Sequence, residues 1–429
     1  MPLGASRLNS LGLFSAPTAV NERITGSGSY LVNNYFGNNV TYLGNDSSNR
    51  PVFAYGFAAN STYYPTMFLF RINTSDLTIT VGTSYVLESL VSYYCDVCSE
   101  RDGSGFRTAS GFEEYAYVGW GRGSGTTDAR VAAFTFDKDA LTATIGTHIQ
   151  AIAAANIYPV GNFSLSYVGN RRVAFCVSGG NNGNFVRQNW ATRSSGSTTL
   201  TKNGGADNFA RGNFGQGGAY HVRGMFPSSL NAWGIGLGTG NNGHGWHVTF
   251  SRTNSTASVG VDWAGYTVAG QTPVYNTICQ FVQLNNTNRF LSVCYGQFNT
   301  TVYHRATAFT VTWNSGATVP TITAGTTVDI GGANPTNGAM YGLHPGKADG
   351  EAYFIIRGSS GFEYRKLTVS TNTITVGSAN SLSGVSPPSA LYSADAGNIV
   401  QIGSDWYWIV GYRNNDTAEI QFLVVKNPV

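Results

Sequence analysis

The chain has 429 residues, of which 54 are glycine and only 11% are charged, with a formal net charge of +3. Soluble domains usually carry about 25% charged residues and ~7% glycine, so a coiled coil or helical repeat built on Glu, Lys and Leu is excluded, as is collagen, whose three-residue glycine period is absent. Hydrophobic residues at 42% and aromatics at 13% exclude disorder, and the small net charge gives no basic stripe for nucleic acid.

Residues 1–22 contain one short apolar run, Leu11 to Phe14, well below the ~7–15 apolar residues of a secretory signal. No segment approaches the ~18–20 apolar residues of a membrane span. The expectation is an extended arm over 1–22, on a protein made in the cytoplasm without membrane insertion, followed by one folded body over 23–429. The body opens with Ile24–Leu31, ITGSGSYL, which matches Ile79–Val86, ITVGTSYV.

That second segment belongs to a repeat. An apolar strand, a polar turn and then Thr-x-Thr-x-Gly recur in MFLFRINTSDLTITVGTS at Met67–Ser84, VAAFTFDKDALTATIGTH at Val131–His148, ATAFTVTWNSGATVPTITAGTT at Ala306–Thr327 and FEYRKLTVSTNTITVGS at Phe362–Ser378. Weaker copies lie at Asn189–Gly205 and Gly245–Gly260. The closing glycines are Gly82, Gly146, Gly204, Gly260, Gly325 and Gly377, a period of about 58 residues. Two further strand-like runs precede each copy, as in FSLSYVGNRRVAFCVSG at Phe163–Gly179. Runs such as MFLF, AFCV, YFII and WYWIV are apolar at consecutive positions, which predicts sheets covered on both faces. Four strands per unit, repeated at this period, predict an all-β fold, a β-propeller of seven four-stranded blades. The last blade, whose own strands lie between Asn398 and Val425, lacks a Thr-x-Thr-x-Gly strand and is expected to borrow Ile24–Leu31 from the N-terminus.

Candidate site residues come from the connections at one end of the blades, which are long and rich in Gly, Asn and aromatics. Tyr63 and Tyr64, Trp120, Asn181 and Asn182, and Asn241, Asn242 and His244 would supply flat apolar area beside amide groups, a chemistry suited to a glycan or another protein. The same Gly and Asn residues also suit positive-φ turns, and both readings stand. Cys95 and Cys98 form a lone Cys-x-x-Cys without the second pair or histidines of a zinc site, while Cys176, Cys279 and Cys294 read as small buried hydrophobes. Glu113 and Glu114 are adjacent and would point to opposite faces of a strand, so they are no glycosidase pair. His244 and His247 lack a third metal ligand nearby. No cofactor is called for, and the Gly-x-Gly run at Gly234–Gly240 lacks the helix of a nucleotide fold.

The segment Pro2–Leu8, PLGASRL, resembles the short opening of structural proteins of marine tailed bacteriophages, especially phages of cyanobacteria. The resemblance implies a virion component without enzymatic activity or catalytic residues. Pro2, Leu3, Arg7, Leu8, Leu11, Leu13 and Phe14 would dock the arm onto tail or capsid proteins, and the propeller would face outward for assembly and for adsorption to a host glycan or receptor. The alternatives are a propeller-type polysaccharide-degrading enzyme and a free lectin-like protein.

Overall fold

The computed structural model describes residues 18–23, 40–59, 62–100, 114–122, 128–152, 163–167, 171–178, 185–202, 208–211, 232–235, 246–252, 263–268, 279–284, 288–298, 301–312, 321–331, 341–357, 361–382, 385, 396–414 and 419–429. These form seven antiparallel sheets and, among the described residues, no helix. The first sheet takes Val40–Asn45, Pro51–Ala58, Pro65–Ile72 and Ile79–Val86 in that order. The second begins with Ser92–Ser99, Tyr115–Arg122 and Ala129–Asp137, and the third with Phe163–Tyr167, Arg172–Ser178 and Phe185–Arg193. Three strands of the fourth are described, Ala232–Ile235, Trp246–Arg252 and Trp263–Val268. Cys279–Gln283 starts the fifth, Tyr341–Pro345 the sixth and Ala396–Ile402 the seventh. This is the architecture of a β-propeller.

Why the middle strands are apolar at every position follows from their packing. Alternate residues of a strand face opposite sides, and here each side meets another sheet. In the strand Glu351–Arg357, Ala352, Phe354 and Ile356 pack with Leu291 and Val293 of the fifth sheet, whereas Tyr353 and Ile355 pack with Trp408 and Val410 of the seventh. The sixth-to-seventh and second-to-third junctions are built the same way, and the first and second sheets share a cluster around Leu43, Met67, Val97 and Val118. Each fully buried Val, Leu, Ile or Phe in these seams contributes about 1.5–3 kcal/mol.

The seventh sheet joins the two ends of the chain. Its strands Asp405–Asn414 and Glu419–Lys426 are followed in space by Thr18–Arg23, paired from Thr18↔Lys426 to Arg23↔Gln421. The N-terminal strand thus does complete the C-terminal sheet, but with TAVNER, which overlaps the end of the segment expected to be an arm. Ile24–Leu31, the segment expected to do it, lies outside the described residues. Behind that pairing, Phe422 stacks on Phe70 at 4.4 Å in a cluster that runs from the seventh sheet into the first. The junction of the third and fourth sheets falls outside the described residues.

The recurring glycines have a packing cause. In the second, fifth and sixth sheets the Thr-x-Thr-x-Gly strand stops at the glycine and a second short strand continues the edge, as in Thr142–Ile145 and Ile149–Ile152 about Gly146. The glycine amide still bonds back to the third strand, Gly146 to Ala133, Gly325 to Ala308 and Gly377 to Lys366. A Cβ at Gly82 would collide with Leu141 in the next sheet's turn, at Gly146 with Thr198 and at Gly325 with Asn372. Only glycine leaves room for that turn. Asn372 also ties the notch shut: it accepts from Thr310 Oγ1 at 2.7 Å and donates to Thr323 O at 3.1 Å.

Candidate functional site

Of the residues singled out above, the structure describes Tyr63, Tyr64 and Trp120. Asn181, Asn182, Asn241, Asn242 and His244 lie outside the described residues, as do Pro2, Leu3, Arg7, Leu8, Leu11, Leu13 and Phe14 of the arm. Tyr63 and Tyr64 are half-buried in the turn between the second and third strands of the first sheet. Trp120 corrects its expectation: it is 1% exposed. Its strand runs on to Arg122, which carries the indole into the seam instead of onto the surface. The opposite end also carries a long connection, from Ser99 to Tyr115.

Trp120 leads to a cluster that the sequence did not single out. The register places it between Cys95 and Arg130, with Arg130 in turn beside Gln150, so one row crosses the second sheet on the side facing the first. At the long-connection end of this seam, the link between the two sheets brings Glu88 over the row. Trp120 Nε1 donates to Glu88 Oε2 at 2.8 Å, and Arg122 donates Nε to the same oxygen at 2.9 Å and pairs with Oε1 as well. Asp128 receives Arg130 Nη2 and Gln150 Nε2, both at 2.9 Å, and lies 3.5 Å from Arg122 Nε. The His148 ring meets Trp120 edge-on, 5.5 Å between centroids. Tyr63 borders the group: its carbonyl accepts the Ser92 amide at 2.6 Å, and Ser92 Oγ donates to Gly121 O at 2.6 Å.

The electrostatics set the protonation states. Burial pushes the Glu88 carboxyl up, but hydrogen bonds from Arg122 and Trp120 outweigh it and hold the group below the usual carboxylate range. The Arg122 guanidinium is held above its usual range, first by its hydrogen bond to Glu88. Burial, then the Arg130 charge, lowers His148. At neutral pH the cluster therefore presents an ionised Glu88 and a neutral imidazole, both proton acceptors, beside two fixed cations. The arrangement can bind a hydroxyl-rich molecule from both the donor and the acceptor side, and it places an imidazole base next to an ionised carboxylate.

Other chemistry-bearing groups do not form a site. Cys95 packs with the first sheet and Cys98 with the third, because residues three apart on a strand face opposite sides; the Cys-x-x-Cys motif therefore does not act as a pair. Glu114 lies just ahead of its strand and pairs with Lys138 at 2.6 Å. Among the described residues no three His, Cys, Asp or Glu side chains gather to hold a metal, and no helix is long and apolar enough to cross a membrane.

No family model matches the chain, and no curated protein is similar to it in sequence. Solved structures are similar in fold. A candidate 6-phosphogluconolactonase from Bacteroides uniformis superposes with a TM-score of 0.51 at 12% identity, over 87% of this chain and 94% of that one. The core factor of Saccharomyces cerevisiae gives 0.53 at 7% identity, over 99% of this chain and 64% of that one. The α-L-arabinofuranosidase of Fusarium graminearum, at 0.45 and 6% identity over 96% and 97%, is more distant. At these identities the likeness is one of fold. It nevertheless corrects the expectation of a chain without enzymatic activity, because the shared scaffold includes a candidate lactonase and so supports catalysis as readily as scaffolding.

Proposed function

We propose that this propeller binds a polysaccharide across the seam between its first two sheets and acts on it there. The observation that carries the reading is the largely buried cluster of Glu88, Arg122, Asp128, Arg130 and His148 at the long-connection end of that seam, with the Tyr63 carbonyl bonded to Ser92 at its border. Ionised Glu88 and neutral His148 accept hydrogen bonds from sugar hydroxyls, and the guanidinium groups donate to ring and hydroxyl oxygens. In hydrolysis His148 takes the proton of the attacking water and returns it to the leaving glycosidic oxygen, while Glu88 orients the substrate against it. The test is incubation of the purified protein with a panel of polysaccharides, following binding by calorimetry and chain cleavage by release of new ends. Binding and cleavage by the wild type, with cleavage lost in His148→Gln and Glu88→Gln, are expected. Absence of binding to every glycan would overturn the reading, and binding without cleavage would reduce it to a lectin-like role.

A second reading rests on the resemblance of Pro2–Leu8 to phage structural proteins: the propeller is carried on a virion, docked through the N-terminal segment to other virion proteins. It is compatible with the first, since a particle-borne propeller meets host surface glycans. Mass spectrometry of purified particles tests it, and absence of the protein from them would rule it out.

A further inference from the structure

Both oxygens of Glu88 are engaged by one arginine. Oε2 accepts Trp120 Nε1 at 2.8 Å and Arg122 Nε at 2.9 Å, and Oε1 pairs with Arg122 Nη2. Departure of this guanidinium fork would free a lone pair on each oxygen for a hydroxyl group. Arg122 also faces a second carboxylate. Asp128 Oδ2 takes Arg130 Nη2 and Gln150 Nε2, both at 2.9 Å. Its Oδ1 accepts no hydrogen bond among the described residues although the side chain is only 3% exposed, and Arg122 Nε lies 3.5 Å from it. We infer that Arg122 has a second seat on Asp128 and exchanges between the two carboxylates, the move to Asp128 uncovering Glu88 for substrate. This rests on the polysaccharide reading and names how its site opens.

The two seats are close in free energy for identifiable reasons. A buried carboxylate oxygen without a hydrogen bond carries the full penalty of leaving water, and Arg122 relieves it by turning Nε from Glu88 to Asp128. Glu88 Oε2 keeps its bond from Trp120 throughout, so neither acid is stranded. The backbone need not move, because Arg122 N donates to Asp128 O at 2.8 Å and so fixes the arginine and its second seat on one hairpin, whereas Glu88 comes from the link between the sheets. Both acids already hold Arg122 as a cation, the Glu88 hydrogen bond first and then, against burial, the Asp128 charge. Exposure separates the roles: the Glu88 and Arg122 side chains are 13% and 14% exposed, against 3% for Asp128. Asp128 is therefore a positioning residue, acting through Arg122 without touching substrate.

The experiment follows the Arg122 Nε and Glu88 Cδ resonances by chemical-exchange saturation transfer in full-length protein labelled at arginine nitrogen and glutamate carbon, assigned through Arg122→Lys and Glu88→Gln, with a thermal melt of each variant. Both resonances are expected to exchange at one rate with a minor state of about 1–10%. Asp128→Asn, which removes the charge of the second seat, is expected to abolish the exchange, and Gln150→Ala, which removes another of the Asp128 contacts, to retain it. In Glu88→Gln the first seat is weakened, so the main Arg122 Nε signal is expected at the position of the wild-type minor state. This last comparison decides the question if Asp128→Asn fails to fold, a signal elsewhere counting against the second seat. Absence of exchange at Arg122 in the wild type, or equal exchange in a folded Asp128→Asn, would overturn the second seat, and exchange at Arg122 without exchange at Glu88 would overturn the uncovering. No glycan is present in these measurements, so the second seat stands or falls separately from the polysaccharide reading, which is decided by the glycan panel.

Discussion

Arg193, at the end of a third-sheet strand, donates its Nε to Glu100 Oε1 of the second sheet at 2.9 Å, with both side chains out of solvent. The same carboxylate oxygen accepts the Tyr117 hydroxyl at 2.7 Å, and the guanidinium lies 3.6 Å from the centre of the Tyr115 ring and donates Nη1 to Ser194 O and Ser197 O. A buried pair so fully bonded is costly to break on one side only. Arg193→Leu alone is expected to cost about 3–5 kcal/mol in urea denaturation, and combining it with Glu100→Leu to recover much of that loss. A single variant within about 1 kcal/mol of the wild type would show that the pair is not what locks these sheets.

The glycine notches predict a graded series. Gly82→Ala and Gly325→Ala push a methyl group against backbone of the next sheet's turn, an overpacking expected to cost about 1–3 kcal/mol. Gly361, where an added methyl would find its nearest neighbours at 3.8 and 3.9 Å, is the control, expected to change stability by less than about 0.5 kcal/mol on conversion to alanine. Equal losses at all three would mean that the repeat glycines serve backbone conformation and not the close approach of turns.

The same notches show what could be read in advance. Thr-x-Thr-x-Gly and the unbroken apolar runs encode packing against neighbouring sheets, which repeats along the chain, so period, strand count and two-sided burial were all legible. Features made once are not written in a period. TAVNER at Thr18–Arg23 does not resemble the repeat's fourth strand, yet it pairs with Glu419–Lys426, because an edge ladder needs backbone groups and not a motif. Trp120 between two glycines reads as loop, whereas register places it in the seam. Glu88 stands among unremarkable neighbours, and only the fold brings it to Arg122, 34 positions along the chain. Its signal in the sequence was a single carboxylate in a link between repeats, in a chain poor in carboxylates.

Stability is expected to fall with acid well above the range of ordinary carboxylates. His304, buried against Phe354 with 5.1 Å between ring centres, is lowered by burial to about 3, the hydrogen bond with the Gly331 backbone acting in the opposite direction. The unfolded state, near 6.5 for histidine, therefore binds the proton first. The contribution is intact above about pH 6.5 and is lost as pH falls toward 3, by at most ~1.4 kcal/mol per pH unit. His148 is lowered too and acts with the same sign. Denaturation between pH 7 and 5 should show this slope in the wild type, a smaller one in His304→Gln and a slightly reduced one in His148→Gln. A His304→Gln slope equal to that of the wild type would assign the acid loss elsewhere.

The joined termini give the most direct test of the fold. Removing residues 1–17 leaves Thr18–Arg23 in place, while removing 1–23 strips the outer strand from the seventh sheet and exposes the backbone of Glu419–Lys426, an almost wholly buried strand. An unpaired edge of that kind invites pairing with another chain. The shorter deletion is expected to melt with the wild type and remain monodisperse, and the longer one to melt lower and to associate on size-exclusion chromatography. Supplying the peptide Thr18–Arg23 in excess should raise the melting temperature of the longer deletion and not of the shorter, since a strand that binds only the folded sheet stabilises it by mass action. A longer deletion with wild-type melting and no response to the peptide would show that the N-terminal strand lies on the sheet without holding it.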